Sequence, residues 1–161
     1  DISYHETAYL NFPLPRLVFA FHVDTEGKVS RCRMGVVADE KPTMDTGMYR
    51  YPFSNVSGEN GDICIGANAL PKYKTPHTLA NLPAFLLSIP NGDHSFNALN
   101  NKLGMQYRDL LEHLKGKTVQ IYGKGMSGRH NDNTDGIVQW PKRQYRKILQ
   151  EDFGRDQEES G

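Results

Sequence analysis

Residues Tyr51 to Gly66 read YPFSNVSGENGDICIG and are the most informative segment of the sequence. It leads from an apolar strand end, across an Asn60-Gly61 dipeptide, to Cys64 between two isoleucines. Asn and Gly both tolerate positive φ, so the dipeptide predicts a tight turn. In an extended segment the flanking isoleucines point away from the cysteine. Packing of the isoleucines therefore pins the backbone and leaves the sulfur facing outward.

A side-chain amide precedes the turn and can approach this thiol. The loop between Asn55 and Cys64 is long enough to fold back and bring the amide near the sulfur. A neutral amide N–H suits the oxyanion that forms when an acyl group moves on or off sulfur. No Lys, Arg or His lies in the immediate motif, so a strongly activated protease-like thiolate is not expected. The pattern favours a thiol that exchanges thioesters.

Composition limits the function classes. The chain has 161 residues, which suits one domain, and Lys+Arg and Asp+Glu number 19 each, so no net charge attracts nucleic acid or an anionic membrane. Mean hydropathy is −0.63, and no apolar run approaches a membrane span. Two cysteines cannot build a disulfide framework or a four-cysteine zinc site. We expect a polar domain in a reducing, cytoplasmic setting.

Three segments show strand patterns before the cysteine. Leu17 to Asp24 places its apolar residues at alternate positions on one face, and Lys28 to Asp39 follows a Thr-Glu-Gly turn. Gly47 to Phe53 is a third, shorter strand interrupted by a proline. Short links between such strands indicate an antiparallel meander. With the helices described next, the prediction is an α+β fold.

Helical patterns follow the cysteine. Thr78 to Leu87 is apolar, and its proline fits only in a first turn. Ala98 to Leu114 predicts the best helix, with an apolar leucine stripe ended by Gly116. The stripe consists of Leu99, Leu103, Leu110, Leu111 and Leu114.

The C-terminal third is polar and less regular. Thr118 to Tyr122 is a candidate strand, residues 123–136 form a polar loop, and Trp140 to Leu149 is either a basic helix or an extended segment. Residues 1–150 are expected to form one domain, and residues 151–161 an acidic disordered tail.

The motif order resembles the active-site stretch of ubiquitin-conjugating enzymes. There an aromatic-Pro-Phe strand end precedes a His-Pro-Asn motif, and a turn with Asn-Gly leads to Ile-Cys-Leu. The sequence is more similar to the bacterial relatives called prokaryotic ubiquitin-conjugating family D, which include PRTRC-system protein B. The run from Thr46 to Gly66 and the segment from Phe85 to Asn97 carry that pattern. The resemblance implies a ubiquitin-conjugating-enzyme-like (UBC) fold, with the meander packed on helices.

The resemblance also implies an activity and partners. Cys64 would carry a ubiquitin-like protein as a thioester and transfer it to an amine acceptor, with Asn55 steadying the oxyanion. The implied partners are a ubiquitin-like protein, an adenylating activating enzyme and a JAB-type deconjugating protease encoded nearby. In such enzymes a loop after the cysteine handles the incoming lysine, and Asp93 and His94 lie about where that loop should come.

Two positions depart from the family pattern. Phe53 and Ser54 stand where the His and Pro of the His-Pro-Asn motif are expected. The loop between Asn55 and Cys64 is one residue longer than is usual in the eukaryotic enzymes, and the long N-terminal helix of those enzymes is not evident.

Structural interpretations of the same residues stay open. Cys64 can be a core thiol, Asn55 can cap a turn, and Asp93 can be a turn residue after Asn-Gly. Two other functions stay open as well: a catalytically inactive module that binds a ubiquitin-like protein, and a cysteine hydrolase pairing Cys64 with His94 or His77. Cys32 lies between two arginines that face away from it in a strand, so we expect it in the core.

No cofactor or metal site is predicted. The histidines lack ligand spacing, and residues 123–128 lack the ending of a phosphate-binding loop. The basic run in residues 142–147 is either a solvated face or a docking surface for a protein.

Overall fold

The computed structural model describes residues 1–117, except positions 38, 44, 59, 71, 101 and 102, together with residues 143 and 144. The strands are β1 (Ile2–Tyr4), β2 (Thr7–Tyr9), β3 (Leu17–Val23), β4 (Val29–Val37), β5 (Gly47–Tyr49) and β6 (Arg143–Gln144). The α-helices are α1 (Leu82–Ser88) and α2 (Tyr107–Leu114), and 3₁₀ helices span Pro76–Asn81 and Ala98–Asn100. Antiparallel strands and separate helices make an α+β fold, as predicted.

The meander forms the main sheet, in the order β3-β4-β5-β6. The turn between β3 and β4 is held by Asp24, whose carboxylate accepts the N–H groups of Glu26 at 2.9 Å and Lys28 at 2.8 Å. The alternate apolar residues of β3 all pack against the core, which confirms the predicted face; these are Leu17, Phe19, Phe21 and Val23. The third strand is shorter than expected, because the chain leaves the sheet after Tyr49 and buries Tyr51 and Phe53 in the core.

Two clusters of buried side chains make the core. The larger is rich in aromatic rings and includes Tyr4, Tyr9, Phe12, Tyr51, Phe53 and Tyr107. The smaller lies between β4 and α1, around Cys32, Leu82 and Leu86. Cys32 is buried as expected, and burial raises the pKa of its thiol to about 11.

The first predicted helix exists with a different start. Residues Pro76–Asn81 form a 3₁₀ helix, and α1 follows without a gap. Pro83 lies in the first turn of α1, where the missing N–H costs no helical hydrogen bond. Leu82 and Leu86, one turn apart, face the core.

The second predicted helix is wrong in its first half. The chain makes a 3₁₀ turn at Ala98–Asn100, and Gly104 has a φ of +61°, which no α-helix accommodates. Leu99 is 70% exposed and Leu103 44%, so neither joins the apolar stripe. The stripe begins at α2, where Leu110, Leu111 and Leu114 are fully buried. Gly116 follows at a φ of +72°, which confirms the predicted stop.

An N-terminal hairpin was not predicted. Strands β1 and β2 pair antiparallel, and the turn between them contains His5 at a φ of 50°. Non-glycine residues are uncommon at positive φ, and neither a glycine nor an Asn-Gly dipeptide marks this turn in the sequence. Tyr4 also makes an isolated parallel bridge with Asn91, which attaches the hairpin to the loop after α1.

Several sequence predictions fall outside the described residues. These are the strand at Thr118 to Tyr122, the polar loop at residues 123–136 and the acidic tail at 151–161. Within the segment from Trp140 to Leu149, residues 143 and 144 form β6, which agrees with the extended alternative. In the portion of the chain that the structure covers, no helix has the length and apolarity needed to cross a membrane.

Candidate functional site

A small hairpin carries the exposed cysteine. Val56 and Ile63 form an antiparallel bridge, and the Ser57 N–H donates to the Asp62 carbonyl at 2.9 Å. Between them, Gly61 has a φ of +75° and donates its N–H to the Ser57 carbonyl at 2.9 Å. The Asn-Gly dipeptide therefore lies in a turn, as predicted, but only its Gly61 takes a positive φ, and the turn spans Ser57 to Asp62.

This hairpin is bound to the edge of β4 that β5 leaves uncovered. The N–H of Met34 donates to the Gly61 carbonyl at 2.9 Å, and the N–H of Ile63 donates to the Cys32 carbonyl at 2.9 Å. Ile63 and Ile65 pack against the core, whereas Cys64 between them is exposed. The alternation predicted from the sequence thus places the thiol at the surface, on a backbone fixed from both sides.

A charged network holds the hairpin base. The Asp62 carboxylate accepts two hydrogen bonds from Arg31, both at 3.1 Å, and one from Arg33 at 2.8 Å. The Asn60 amide donates to the same carboxylate at 2.7 Å. Burial opposes ionisation of Asp62, but the two arginines outweigh it and lower the pKa of the carboxyl below its ordinary value.

The structure brings Asn55 and Cys64 together through the backbone. The N–H of Cys64 donates to the Asn55 carbonyl at 2.7 Å. Asn55 has a φ of 65°, a conformation that Asn tolerates better than most residues. Its side-chain amide donates to the Pro90 carbonyl at 3.0 Å, toward the loop that follows α1. Asn55 therefore lies beside the Cys64 backbone, and its side-chain amide is bonded to the neighbouring loop.

The same loop carries Asp93 and His94. The N–H of Asn55 donates to the His94 carbonyl at 3.3 Å, so this loop lies directly against the asparagine. Asp93 faces the N-terminal hairpin: its carboxylate accepts the Tyr4 hydroxyl at 2.5 Å and lies 3.4 Å from His5 Nε2. The Tyr4 hydrogen bond lowers the pKa of Asp93 below its ordinary value, although the side chain is exposed.

Phe53 and Ser54, the two residues that depart from the family pattern, are buried inside the fold. Phe53 is 1% exposed and packs edge-on against Phe12 and Tyr51. Ser54 is fully buried, and its hydroxyl donates to the side-chain oxygen Oδ1 of Asn91 at 3.2 Å. They fix the chain just before Asn55 without a histidine.

Beside Asn55 the described residues enclose a small polar cavity. A cavity of about 20 Å³ lies under the asparagine, lined in part by Ser54, Asn55 and Asn91. That volume fits about one water molecule. Among the described residues no cluster of three or more His, Cys, Asp or Glu side chains is arranged to hold a metal ion.

Sequence reasoning missed the partners that are distant in the chain. Asp62 and its two arginines were separated by about 30 residues, and Tyr4 and Asp93 by 89. A usable signal existed for the cluster of Asp62 and its two arginines, since Arg31 and Arg33 share one face of a strand and Asp62 follows the Asn-Gly turn. No local signal marked Tyr4 and His5.

Comparison with protein families identifies the chain. The model of prokaryotic E2 family D matches residues 2–125, well over half of the sequence. The chain belongs to this family. It is therefore a bacterial E2-like protein, E2 being the ubiquitin-conjugating class, and the resemblance inferred from the cysteine motif is confirmed.

A second similarity concerns the C-terminal part. The family model for the accessory Sec system GspB-transporter matches residues 101–155. An accessory Sec system protein of Streptococcus gordonii is 39% identical over 49 residues, which is 30% of this chain and 10% of that protein. The chain thus spans about a tenth of that curated relative. No solved structure matches the chain.

Proposed function

We propose that this E2-like protein carries a ubiquitin-like protein as a thioester on Cys64, within a UBC-like arrangement of meander and helices. The observation that carries the proposal is the exposed thiol whose backbone N–H is bonded to Asn55, on a hairpin fixed to β4. An acyl carrier needs a sulfur that two protein partners can reach in turn. The family supports interaction with a ubiquitin-like protein and an activating enzyme in general.

Charging is a thioester exchange. The Cys64 thiolate attacks the carbonyl carbon of the thioester on an adenylating activating enzyme, and a new S–C bond forms. The tetrahedral intermediate then expels the thiolate of the activating enzyme. Among the described residues, one amide N–H of Asn55 donates to the Pro90 carbonyl, so the second can donate to the oxyanion.

Transfer delivers the acyl group to an amine. Asp93 and His94 lie on the loop that contacts Asn55, which suits them to receive a lysine beside the thioester. The lowered pKa of Asp93 keeps it anionic at neutral pH, where it attracts an ammonium group. Asp93 thereby orients the lysine, and His94 follows it on the same loop.

An in-vitro charging reaction tests this proposal. With the adenylating enzyme, the ubiquitin-like protein and ATP, we expect an adduct on the wild-type chain that dithiothreitol removes. Cys64→Ser should give an adduct that resists dithiothreitol, since an oxygen ester replaces the thioester, and Cys64→Ala should give none. Cys32→Ala is the matched control and should charge normally. An adduct that survives Cys64→Ala overturns the proposal.

The buried Phe53 and Ser54 favour one second candidate, a module that binds a ubiquitin-like protein without chemistry. These side chains stand where the family resemblance expects His and Pro, and neither reaches the thiol surface. That function predicts binding of equal affinity by wild type and Cys64→Ser and no adduct in the charging reaction. Titration calorimetry and the charging gel together separate the two candidates.

A further inference from the structure

His5, in the N-terminal hairpin, lies beside the carboxylate of Asp93, on the loop that follows α1. His5 Nε2 is 3.4 Å from one carboxylate oxygen of Asp93, and the Tyr4 hydroxyl donates to the other at 2.5 Å. The Tyr4 and His5 rings meet edge to face, with centroids 4.4 Å apart. One carboxylate thus fixes two neighbouring rings of the hairpin turn.

The backbone holds this group in place. The N–H of His5 donates to the Asn91 carbonyl at 2.9 Å, and both the main-chain and side-chain N–H groups of Asn91 donate to the Ser3 carbonyl at 2.9 Å. The turn keeps His5 at a φ of 50°. Residues at positive φ are disfavoured unless their surroundings hold them. The hydrogen bonds of the hairpin therefore hold His5 in a backbone conformation that costs energy.

Two backbone hydrogen bonds connect the loop that carries Asp93 to the hairpin that carries Cys64. His94, the residue after Asp93, accepts the Asn55 N–H, and Asn55 accepts the Cys64 N–H. His5 is half exposed, so an incoming side chain can reach its ring. With Nε2 directed at the carboxylate, the lone pair of Nδ1 is the free acceptor.

We propose that His5 takes the proton from the lysine that attacks the Cys64 thioester, with Asp93 and Tyr4 as positioning residues that hold its ring. This inference rests on the proposed function and deepens it, because it assigns the base of the transfer step to a segment outside the cysteine motif. A carboxylate that accepts a tyrosine hydrogen bond is a weak base toward an ammonium group. An imidazole oriented by a carboxylate is the better acceptor.

The step balances as follows. The lysine ammonium gives one proton to Nδ1 of His5 and becomes an amine. Its nitrogen attacks the thioester carbonyl, the N–C bond forms and the S–C bond breaks. The second proton leaves nitrogen for the Cys64 thiolate, so the products are an amide, a free thiol and protonated His5, which returns its proton to water.

The test uses a chemically loaded protein and needs neither natural partner. Cys64 of the full chain is acylated by exchange with a small acetylglycyl thioester reagent, in a Cys32→Ala background. Discharge is followed by mass spectrometry with two nucleophiles, Nα-acetyl-lysine and hydroxylamine. Hydroxylamine is already neutral at pH 7 and needs no base. His5→Asn is the variant, because asparagine tolerates the positive φ.

We expect His5→Asn to slow discharge to Nα-acetyl-lysine by about 100-fold, the usual size of a general-base effect, and to leave discharge to hydroxylamine within about twofold. His113→Asn, a histidine on α2, is the matched control and should change neither rate. Equal lysine rates in wild type and His5→Asn overturn the inference. Equal slowing with both nucleophiles also overturns it, because a purely structural role affects both. A failed charging reaction with the activating enzyme would instead count against the proposed function alone.

Discussion

The backbone N–H of Cys64 donates to the carbonyl of Asn55 at 2.7 Å. This bond closes the small hairpin on its outer side, while Ile63 is bound to β4 on the inner side. The thiol is therefore presented on a fixed backbone even though its side chain is exposed. Asn55 combines two structural features: a positive φ, and a hydrogen bond from its side-chain amide to the Pro90 carbonyl.

Substitution can separate the role of the Asn55 side-chain amide from that of its backbone conformation. Asn55→Gly removes the amide but keeps the positive φ, and Asn55→Ala removes the amide and adds backbone strain. We expect both to slow transfer from charged Cys64 by about 100-fold, the usual cost of losing one oxyanion donor. The free energy of unfolding should be about 1 kcal/mol lower for Asn55→Ala than for Asn55→Gly, because alanine is strained at positive φ.

Urea unfolding and single-turnover discharge measure these two effects independently. If Asn55→Gly transfers at the wild-type rate, the amide has no oxyanion role and the residue is there for its backbone conformation.

The two cysteines should differ sharply in reactivity. Cys64 is exposed, whereas Cys32 is 5% exposed and burial raises its pKa to about 11. Because the thiolate is the reacting form, we expect iodoacetamide at pH 8 to label Cys64 about 100-fold faster than Cys32 in the native protein. In 8 M urea the two rates should converge.

Peptide mass spectrometry after timed quenching gives both rates in one sample. Comparable native rates at the two positions would contradict the burial of Cys32 beneath α1 and would weaken the assignment of Cys64 as the accessible thiol.

The Asn60-Gly61 turn admits no side chain at its second residue. A Cβ on Gly61 would lie 2.7 Å from the Met34 carbonyl oxygen, and the residue has a φ of +75°. Gly116 offers a matched control, since its φ is +72° but no described residue lies within 4 Å of an added Cβ. We expect Gly116→Ala to cost about 1 kcal/mol for its φ alone, and Gly61→Ala about 3 kcal/mol for φ and contact together.

Urea denaturation of both variants measures the difference. A Gly61→Ala variant no less stable than Gly116→Ala would mean that the hairpin does not pack against β4 as the structure has it.

The features predicted from the sequence are those that depend on neighbours in the chain. Alternation placed Ile63 and Ile65 inward and Cys64 outward, and the Asn-Gly dipeptide marked the turn. The leucine spacing from Ala98 onward gave a wrong helix start, because periodicity does not register the backbone break at Gly104. Local pattern therefore predicted the motif better than it predicted the second helix.

The contacts that were missed join residues far apart in the chain. Tyr4 and Asp93 meet only because the N-terminal hairpin packs beside the loop after α1. Asp62 meets Arg33 only because the cysteine hairpin adds to the edge of β4. Pairings of this kind follow from the assembled topology, which hydrophobic periodicity does not specify.

The Asp62 carboxylate should matter for stability. Arg33 has a side chain 3% exposed, and Asp62 is 32% exposed, so the pair is largely shielded from water. Asp62→Asn keeps the shape but removes the negative charge that faces the buried Arg33 guanidinium, and we expect a loss of about 2 kcal/mol at pH 7. Asp45→Asn, at an exposed loop position, is the control and should change stability by less than about 0.5 kcal/mol.

The Asp62 carboxylate also predicts how the free energy of unfolding changes as the pH falls. Burial opposes ionisation of Asp62, yet the arginines lower its folded-state pKa below the ordinary value of about 3.9. A group with a lowered folded-state pKa stabilises fully above its unfolded-state pKa and loses that contribution as the pH falls through the folded-state value. The gap in unfolding free energy between wild type and Asp62→Asn should therefore hold from about pH 7 to about pH 5 and shrink below about pH 4. Urea titrations across this range measure it; a gap that widens on acidification would show that the arginines do not stabilise the charged form of Asp62.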